Sequence, residues 1–382
     1  MDYKQTLFPD LAYPAYLNHS AISPLSVRTR AAMTTLANQY GTMGVKAWGP
    51  GNELRISARQ NLAQLIGAEP EDIALIGNTS QGLSLVACEY PWKAGDSMIL
   101  FRGEFPGNVL PWTYAAERFG VKVLWLDLQD LTERNARFEE VMGHQPRLMA
   151  ISWVQFQTGL AQSLQTLSEL RETYDIHICL DAIQGLGPLT MDLASTPLDF
   201  VTAGCHKWLL SPEGTAFLYV NPERMPAMKP TIVSWISQSD ASSFLFRGAG
   251  YVDYSMDLKD TARRYETGTL NAVGLAGLAA TLEIFMEVGP AVISKRVLAL
   301  ASYCRKGLQR MGLPVIVEGA ISGNVCTPLP TDKLLACMDA ADKAQVIVST
   351  PDGHLRVAPH FYNDEADIDR FLAVIAEQVA SW

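Results

Sequence analysis

The sequence predicts an α/β protein: a large α/β/α domain built on a mostly parallel, seven-stranded sheet, followed by a small α+β domain. Three observations predict it. From about residue 72 to 220, short β-rich runs alternate with helical stretches, the signature of successive βαβ units. After about residue 272 the rhythm changes to long helices and short β runs. The chain has 382 residues, 48% of them hydrophobic, enough for two domains with buried cores and no covalent staples.

Residues 1–60 contain few strand-like runs and are expected to pack on both domains. Residues 61–270 form the large domain, with strands expected over Ile73–Ile76, Met98–Phe101, Val121–Leu126, Leu148–Trp153, His177–Leu180, Phe200–Ala203 and Ala216–Val220. Helical periodicity lies between them at Gln81–Glu89, Leu110–Phe119 and Leu164–Tyr174. Residues 271–382 form the small domain. It opens with two long helices, Ala272–Glu287 and Ala291–Met311. Short β runs at Pro314–Glu318 and Val325–Thr327 follow, then a helix near Asp332–Ala341. A hairpin-like pair, Gln345–Ser349 and His354–Ala358, turns at Pro351-Asp352-Gly353, and an amphipathic helix fills Glu365–Ser381.

Composition narrows the partners. A net charge of −10 argues against nucleic acid or an anionic membrane. The longest uncharged stretch, Thr267–Leu282, runs at once into Glu283 and Glu287, so it reads as a buried helix and not a membrane span. The N-terminal run MDYKQTLFPDLAYPAYLN lacks the pattern of a secretion signal. The six cysteines form no C-x-x-C pair, and the histidines add no zinc spacing. A cytoplasmic protein with reduced thiols and no metal is expected.

In open α/β sheets, ligands sit beyond the carboxyl ends of the strands. Three polar segments fall there. Ala203–Leu209 (AGCHKWL) delivers His206 and Lys207 from a strand end. A lysine beside an imidazole and an indole is poorly solvated, which frees its amine as a nucleophile. A surface lysine opening a loop would look the same. Ile178–Gly185 carries Asp181 at the end of an apolar run, where a carboxylate is costly to bury without a cation, although a helix N-cap fits there equally well. Gly77–Gly82 joins a strand to a helix, and its N–H groups with the Thr79 and Ser80 hydroxyls make an anion site or an ordinary cap. This segment is neither a G-x-S-x-G elbow nor a Walker loop. Gly185-Leu186-Gly187 is only a fragment of a dinucleotide fingerprint, which argues against an oxidoreductase. An amine, a carboxylate to face a pyridinium, phosphate donors and a flat cover for the ring are what pyridoxal phosphate (PLP) chemistry asks of a protein.

Taken in order, the segments resemble the class V aminotransferases. These are the fold-type-I PLP enzymes that include cysteine desulfurases, selenocysteine lyases and isopenicillin-N-epimerase-like proteins. The resemblance spans nearly the whole chain. It is carried by YLNHSA at Tyr16–Ala21, Asn78-Thr79-Ser80, EFPGN at Glu104–Asn108, DAIQ at Asp181–Gln184, His206-Lys207, YETGT at Tyr265–Thr269, and Leu355–Asn363. It implies a fold-type-I PLP-dependent transferase acting on an amino acid, as a homodimer whose active sites are shared between subunits.

The resemblance also implies roles. Lys207 would hold the cofactor and move protons at the substrate Cα, and Asp181 would face the ring nitrogen. Gln184 would bind the ring 3-oxygen, and Phe105 would stack on the ring. Asn78, Thr79, Ser80 and His206 would surround the phosphate, with Gly268 and Thr269 reaching in from the partner. Arg356 would grip the substrate carboxylate, and Asn18 and His19 would lie at the substrate. Departures stand beside these. Gly204 replaces a common serine, and Phe105 replaces a histidine found in many relatives. Phe156 replaces an asparagine, leaving Gln155 to compensate. The turn Ser349–Gly353 lacks the cysteine of dedicated desulfurases, and Cys326 falls in a β run. Transamination is the leading expectation, C–S or C–Se lysis the second and epimerisation the third. The joint presence of Lys207, Asp181 and Arg356 speaks against an idle PLP-fold binding protein.

Overall fold

A computed structural model describes residues 2–316 and 322–382 of the chain. Among them, β1 is Ala15–Tyr16, and seven strands form one sheet: β2 (Ile73–Ile76), β3 (Ser97–Phe101), β4 (Lys122–Leu126), β5 (Leu148–Ser152), β6 (His177–Asp181), β7 (Phe200–Gly204) and β8 (Ala216–Val220). β9 (Val325–Pro328), β10 (Val346–Ile347) and β11 (His354–Val357) follow. The order in the large sheet is β2-β8-β7-β6-β5-β3-β4, and only β8 runs against the others. This is the α/β fold with a mostly parallel sheet that the alternation of runs predicts.

The sheet is buried on both faces, which is why its strands are near-continuous apolar runs. Ile73, Leu75, Ile99 and Phe101 join the core on one face; Ala74, Ile76, Met98 and Leu100 join the core on the other. Their alternation is the pleat of a strand expressed in packing. β4, at the sheet edge, is mostly half-buried, with Lys122 exposed. Helices follow the strands and stop where the sequence provides a stop. Thr79–Glu89 starts at an Asn78 cap, and Leu110–Phe119 ends at Gly120 with φ 67°. Leu164–Tyr174 starts at Ser163, whose hydroxyl accepts from the Thr166 N–H.

A third apolar cluster gathers Leu300, Leu308, Val325, Leu355 and Phe371 with Ala15 and Leu17, whereas Leu7 and Phe8 belong to the large-sheet core. The two long helices form at Ala272–Val288 and Pro290–Arg310, bent by 84° at Gly289. Among the described residues, no single helix is long and apolar enough to cross a membrane.

Two expectations for the C-terminal region are corrected. The pair around Pro351–Gly353 is not a hairpin ladder. β11 pairs antiparallel with β9, and β10 pairs parallel with β1. One rung, Ser349 to Arg356, is all that joins the two runs. The turn between them is a short 3-10 segment with Asp352 at φ 44°, and Val346 is buried against the third cluster. The run expected at Pro314–Glu318 forms no strand over 314–316, where Pro314 lacks an N–H and Ile316 makes a single bond to the Cys326 carbonyl. Val317 and Glu318 lie outside the described residues.

Candidate active site

The carboxyl ends of β2, β3, β5, β6 and β7 open into a cavity of about 510 Å³. Ser20, Ala21, Ile22, Pro351 and Arg356 complete its wall. Asn78, Thr79, Ser80, Phe105, Asp181, Gln184, His206 and Lys207, each singled out in the sequence, all line it.

Lys207 follows β7 and is half-buried. Burial and the nearby Arg356 cation push its amine down to about 8, against the pull of Asp181. Neither His206 nor Trp208, the neighbours expected from the sequence to do this, is the cause. Trp208 points away: its indole N–H donates to Gln184 Oε1 at 2.9 Å. Lys207 Nζ lies 5.9 Å from the centre of the Phe105 ring.

Asp181 ends β6 and is 4% exposed. Burial raises its carboxyl to about 6, with the Ile183 N–H (3.0 Å) and Lys207 opposing. A turn and not a helix follows it, so the N-cap alternative falls. Among the described residues, no cationic side chain is within ion-pair distance of it. A buried carboxylate without a cation calls for one from a ligand.

The anion site is built at a helix start. Asn78 Oδ1 accepts the Gln81 N–H at 2.8 Å, which leaves the Thr79 and Ser80 N–H groups unused. Thr79 Oγ1 accepts the Gly204 N–H at 2.8 Å. Gly204 also has a packing reason. A Cβ there would fall 2.9 Å from His206 Cε1 and 3.0 Å from Nδ1. The imidazole therefore occupies the space that a side chain at position 204 would need. Burial, then Lys207, lowers the His206 imidazole, and Glu213 opposes them.

Arg356, on β11, is 5% exposed and has no carboxylate partner among the described residues. Nε donates to Ser349 Oγ at 3.3 Å and Nη1 to the Phe156 carbonyl at 3.0 Å. Burial lowers its guanidinium. Phe105 is 51% exposed and meets Phe156 edge-on, with centroids 5.4 Å apart.

Three assignments are corrected. Gln155 does not reach the cavity: its amide donates to the Gly103 carbonyl at 3.2 Å and accepts from Thr158 Oγ1 at 2.6 Å. Val154 and Phe156 take the wall, because the extended chain past β5 still alternates its side chains. His19 is fully buried behind the wall. Its Nδ1 donates to the Ala358 carbonyl at 2.7 Å, and Nε2 accepts from the Tyr362 hydroxyl at 2.8 Å. Asn18 bridges to Ala358 through its backbone and is likewise absent from the wall. The next residues, Ser20 to Ile22, face the cavity instead. Gln184 lines the cavity, but its amide also binds the Ser20 carbonyl at 2.9 Å. Thr269, beside Gly268, lies at a separate cleft of about 220 Å³ with Gly77 and Gln81.

Glu104 and Ser152 form a buried pair beside the cavity that no sequence expectation assigns a role. Glu104 is buried, accepts the Ser152 N–H at 2.8 Å and the Ser152 hydroxyl, and is raised to about 7 by burial. An acid beside Phe105 at the end of a buried strand is the signal for it. No thiol lines the cavity; Cys326 is 1% exposed and burial pushes it up to about 12. Among the described residues, no group of three His, Cys, Asp or Glu side chains could hold a metal.

PLP fits this donor set: a buried acid without a cation, hydroxyls and free N–H groups at a helix start, a low-pKa amine and an accessible aromatic ring. Residues 52–371 match the family model described as Aminotransferase class-V. A probable cysteine desulfurase of Methanothermobacter thermautotrophicus is 25% identical, over 97% of this chain and 96% of its own. The isopenicillin N epimerase of Streptomyces clavuligerus is 29% identical, over 82% and 81%. The cystine C–S lyase C-DES, solved with its product cysteine persulfide, is 21% identical with a TM-score of 0.85, over 97% and 99%.

Proposed function

This chain belongs to the class-V aminotransferase family of PLP-dependent enzymes, and on that premise we propose that it carries out transamination of an amino acid as a cytoplasmic homodimer. When bound, PLP supplies an electron sink for the pair released at the substrate Cα. Lys207 would hold the cofactor, and its amine, pushed down to about 8, would take and return the Cα proton. The Asp181 carboxylate would face the ring nitrogen and favour its protonated form. Asn78, Thr79, Ser80 and His206 would surround the phosphate, with Gly268 and Thr269 supplied by the partner. Gln184 would serve the ring 3-oxygen, and Phe105 would cover one face. Arg356, whose Nη2 has no partner among the described residues, would take the substrate carboxylate.

One observation carries the choice of reaction: the cavity wall holds the Lys207 amine and no thiol, with Phe105 where many relatives carry a histidine. Desulfuration through an enzyme persulfide needs a nucleophilic thiol on the wall, and two-base epimerisation needs a second proton carrier at Cα. Transamination needs one base. The same observation leaves one further reading, C–S lysis in which the sulfur departs on the product. The purified protein, supplied with PLP, an amino acceptor and a panel of amino acids, separates these by its products. Amination of the acceptor, one for one with keto acid, is the expected result. Keto acid released with ammonia and a thiol or persulfide while the acceptor stays unaminated, or racemised amino acid alone, overturns transamination.

A further inference from the structure

The charges on the cavity wall are few. Its cations are Lys207 and Arg356, with His206 at the phosphate end, and its anions are Asp181 and Glu213. The reading above assigns Lys207 to the cofactor and Cα, and Arg356 to the α-carboxylate. Among the described residues of this chain no cation of the wall remains for a second carboxylate, and the two anions repel one. Glu213 is exposed and acts on His206, so it stands at the phosphate end, where it is poorly placed to hold a cationic substrate side chain.

The wall around these charges is apolar. Ala21, Ile22, Phe156 and Pro351 line it, and Ile22 is 47% exposed. Phe156 is tied to Arg356 through its carbonyl and packs on the Phe105 edge, so an aromatic ring stands beside the carboxylate grip. Apolar side chains left accessible beside a cavity gain by being covered with apolar surface.

We infer that the substrate is an amino acid with a single carboxylate and an uncharged, apolar side chain. That side chain packs on Phe156, Ile22 and Pro351 while Arg356 takes the α-carboxylate; the inference rests on the amino-acid reading given above. Each methylene buried there strengthens binding about four-fold. A second charge, desolvated without a partner, weakens it at least about ten-fold.

Unreactive acids that lack the α-amino group test this by calorimetry on the PLP-loaded protein. 4-Methylpentanoate should bind at least about ten-fold more tightly than glutarate or 6-aminohexanoate. Phe156→Ala, which removes the apolar ring and adds no group able to bind the cofactor, should reduce that preference to about three-fold or less, with the bound-cofactor absorbance unchanged as the sign of an intact site. Ile22→Asn, at an accessible position, should reduce it in the same direction. Glutarate or 6-aminohexanoate binding as tightly as 4-methylpentanoate overturns the inference alone, as does full preference in both variants. A protein that takes up no PLP overturns the family-level reading and the inference with it.

Discussion

The His206 imidazole fills the space beside Gly204: a Cβ built on Gly204 falls 2.9 Å from His206 Cε1, so the ring must shift to admit one. Gly204→Ser should therefore displace His206, even though it restores a hydroxyl common among relatives. If His206 holds the phosphate, losing one charge-assisted hydrogen bond costs about 1.5–3 kcal/mol, or about 10–100-fold in PLP affinity. Reconstitution of the apoprotein measures it. Equal or tighter PLP binding by the serine variant rules the displacement out.

The amine of Lys207 carries a pH signature. Burial and Arg356 disfavour its cation, so the neutral amine dominates above about 8, whereas an ordinary lysine needs about 10.5. The rate of PLP capture by the apoprotein should rise with pH and level off above about 8. Removing the repelling cation in Arg356→Ala should move that break upward. Borohydride should abolish the near-visible band of the loaded protein and leave the adduct on Lys207. Attachment at another lysine, or a profile still climbing at pH 10, contradicts the assignment.

Glu104 links the site to stability. Its carboxyl rises from 4.5 to about 7 in the fold, so between those values the folded protein binds a proton that the unfolded chain has released. The contribution is fully present below about pH 4.5 and is lost as pH rises through about 7. Glu104→Gln should flatten this fall, worth on the order of 1–3 kcal/mol, in denaturant melts of the apoprotein at pH 5 and pH 8. Parallel curves for variant and wild type would falsify the protonated, buried state.

The sheet is legible in the sequence because each strand is a short apolar run buried on both faces, so local composition carries it. The partner of β10 is not. Val346–Ile347 finds Ala15–Tyr16 at the far end of the chain, and no local period encodes that pairing. The site divides the same way. Lys207, Asp181 and Thr79 are legible as polar residues at the ends of apolar strands. The motif around Tyr16–Ala21 reaches the site, but spacing alone does not tell which of its side chains turn outward, and Ser20 and Ala21, followed by Ile22, do so in place of Asn18 and His19. Gln155 is legible in hindsight, because alternation from β5 puts 154 and 156 on the wall and 155 behind it.

Asp181→Asn keeps the shape of the site and removes its charge. PLP should remain bound, because the phosphate donors are untouched. Turnover should fall about 10²–10³-fold or more, since the neutral amide does not favour a protonated ring nitrogen. Near-normal turnover would show that Asp181 serves only its turn with Ile183.

Arg356 and Cys326 stand directly opposite each other on β11 and β9, and they separate the rival chemistries. Among the described residues no acid pairs with the buried Arg356, and the reading proposed above gives it the substrate carboxylate. Arg356→Ala should raise KM by roughly 2–5 kcal/mol in equivalent free energy while the cofactor spectrum holds. Arg356→Lys should rescue little, because an ammonium lacks the guanidinium fork. Cys326 is buried, and its thiol is pushed up to about 12, so it is neither accessible nor ionised near neutral pH. Cys326→Ala should leave turnover within a few-fold of wild type. If that variant instead loses cysteine-dependent sulfide release with its PLP spectrum intact, a buried thiol has become accessible during turnover. Transamination then gives way to sulfur transfer.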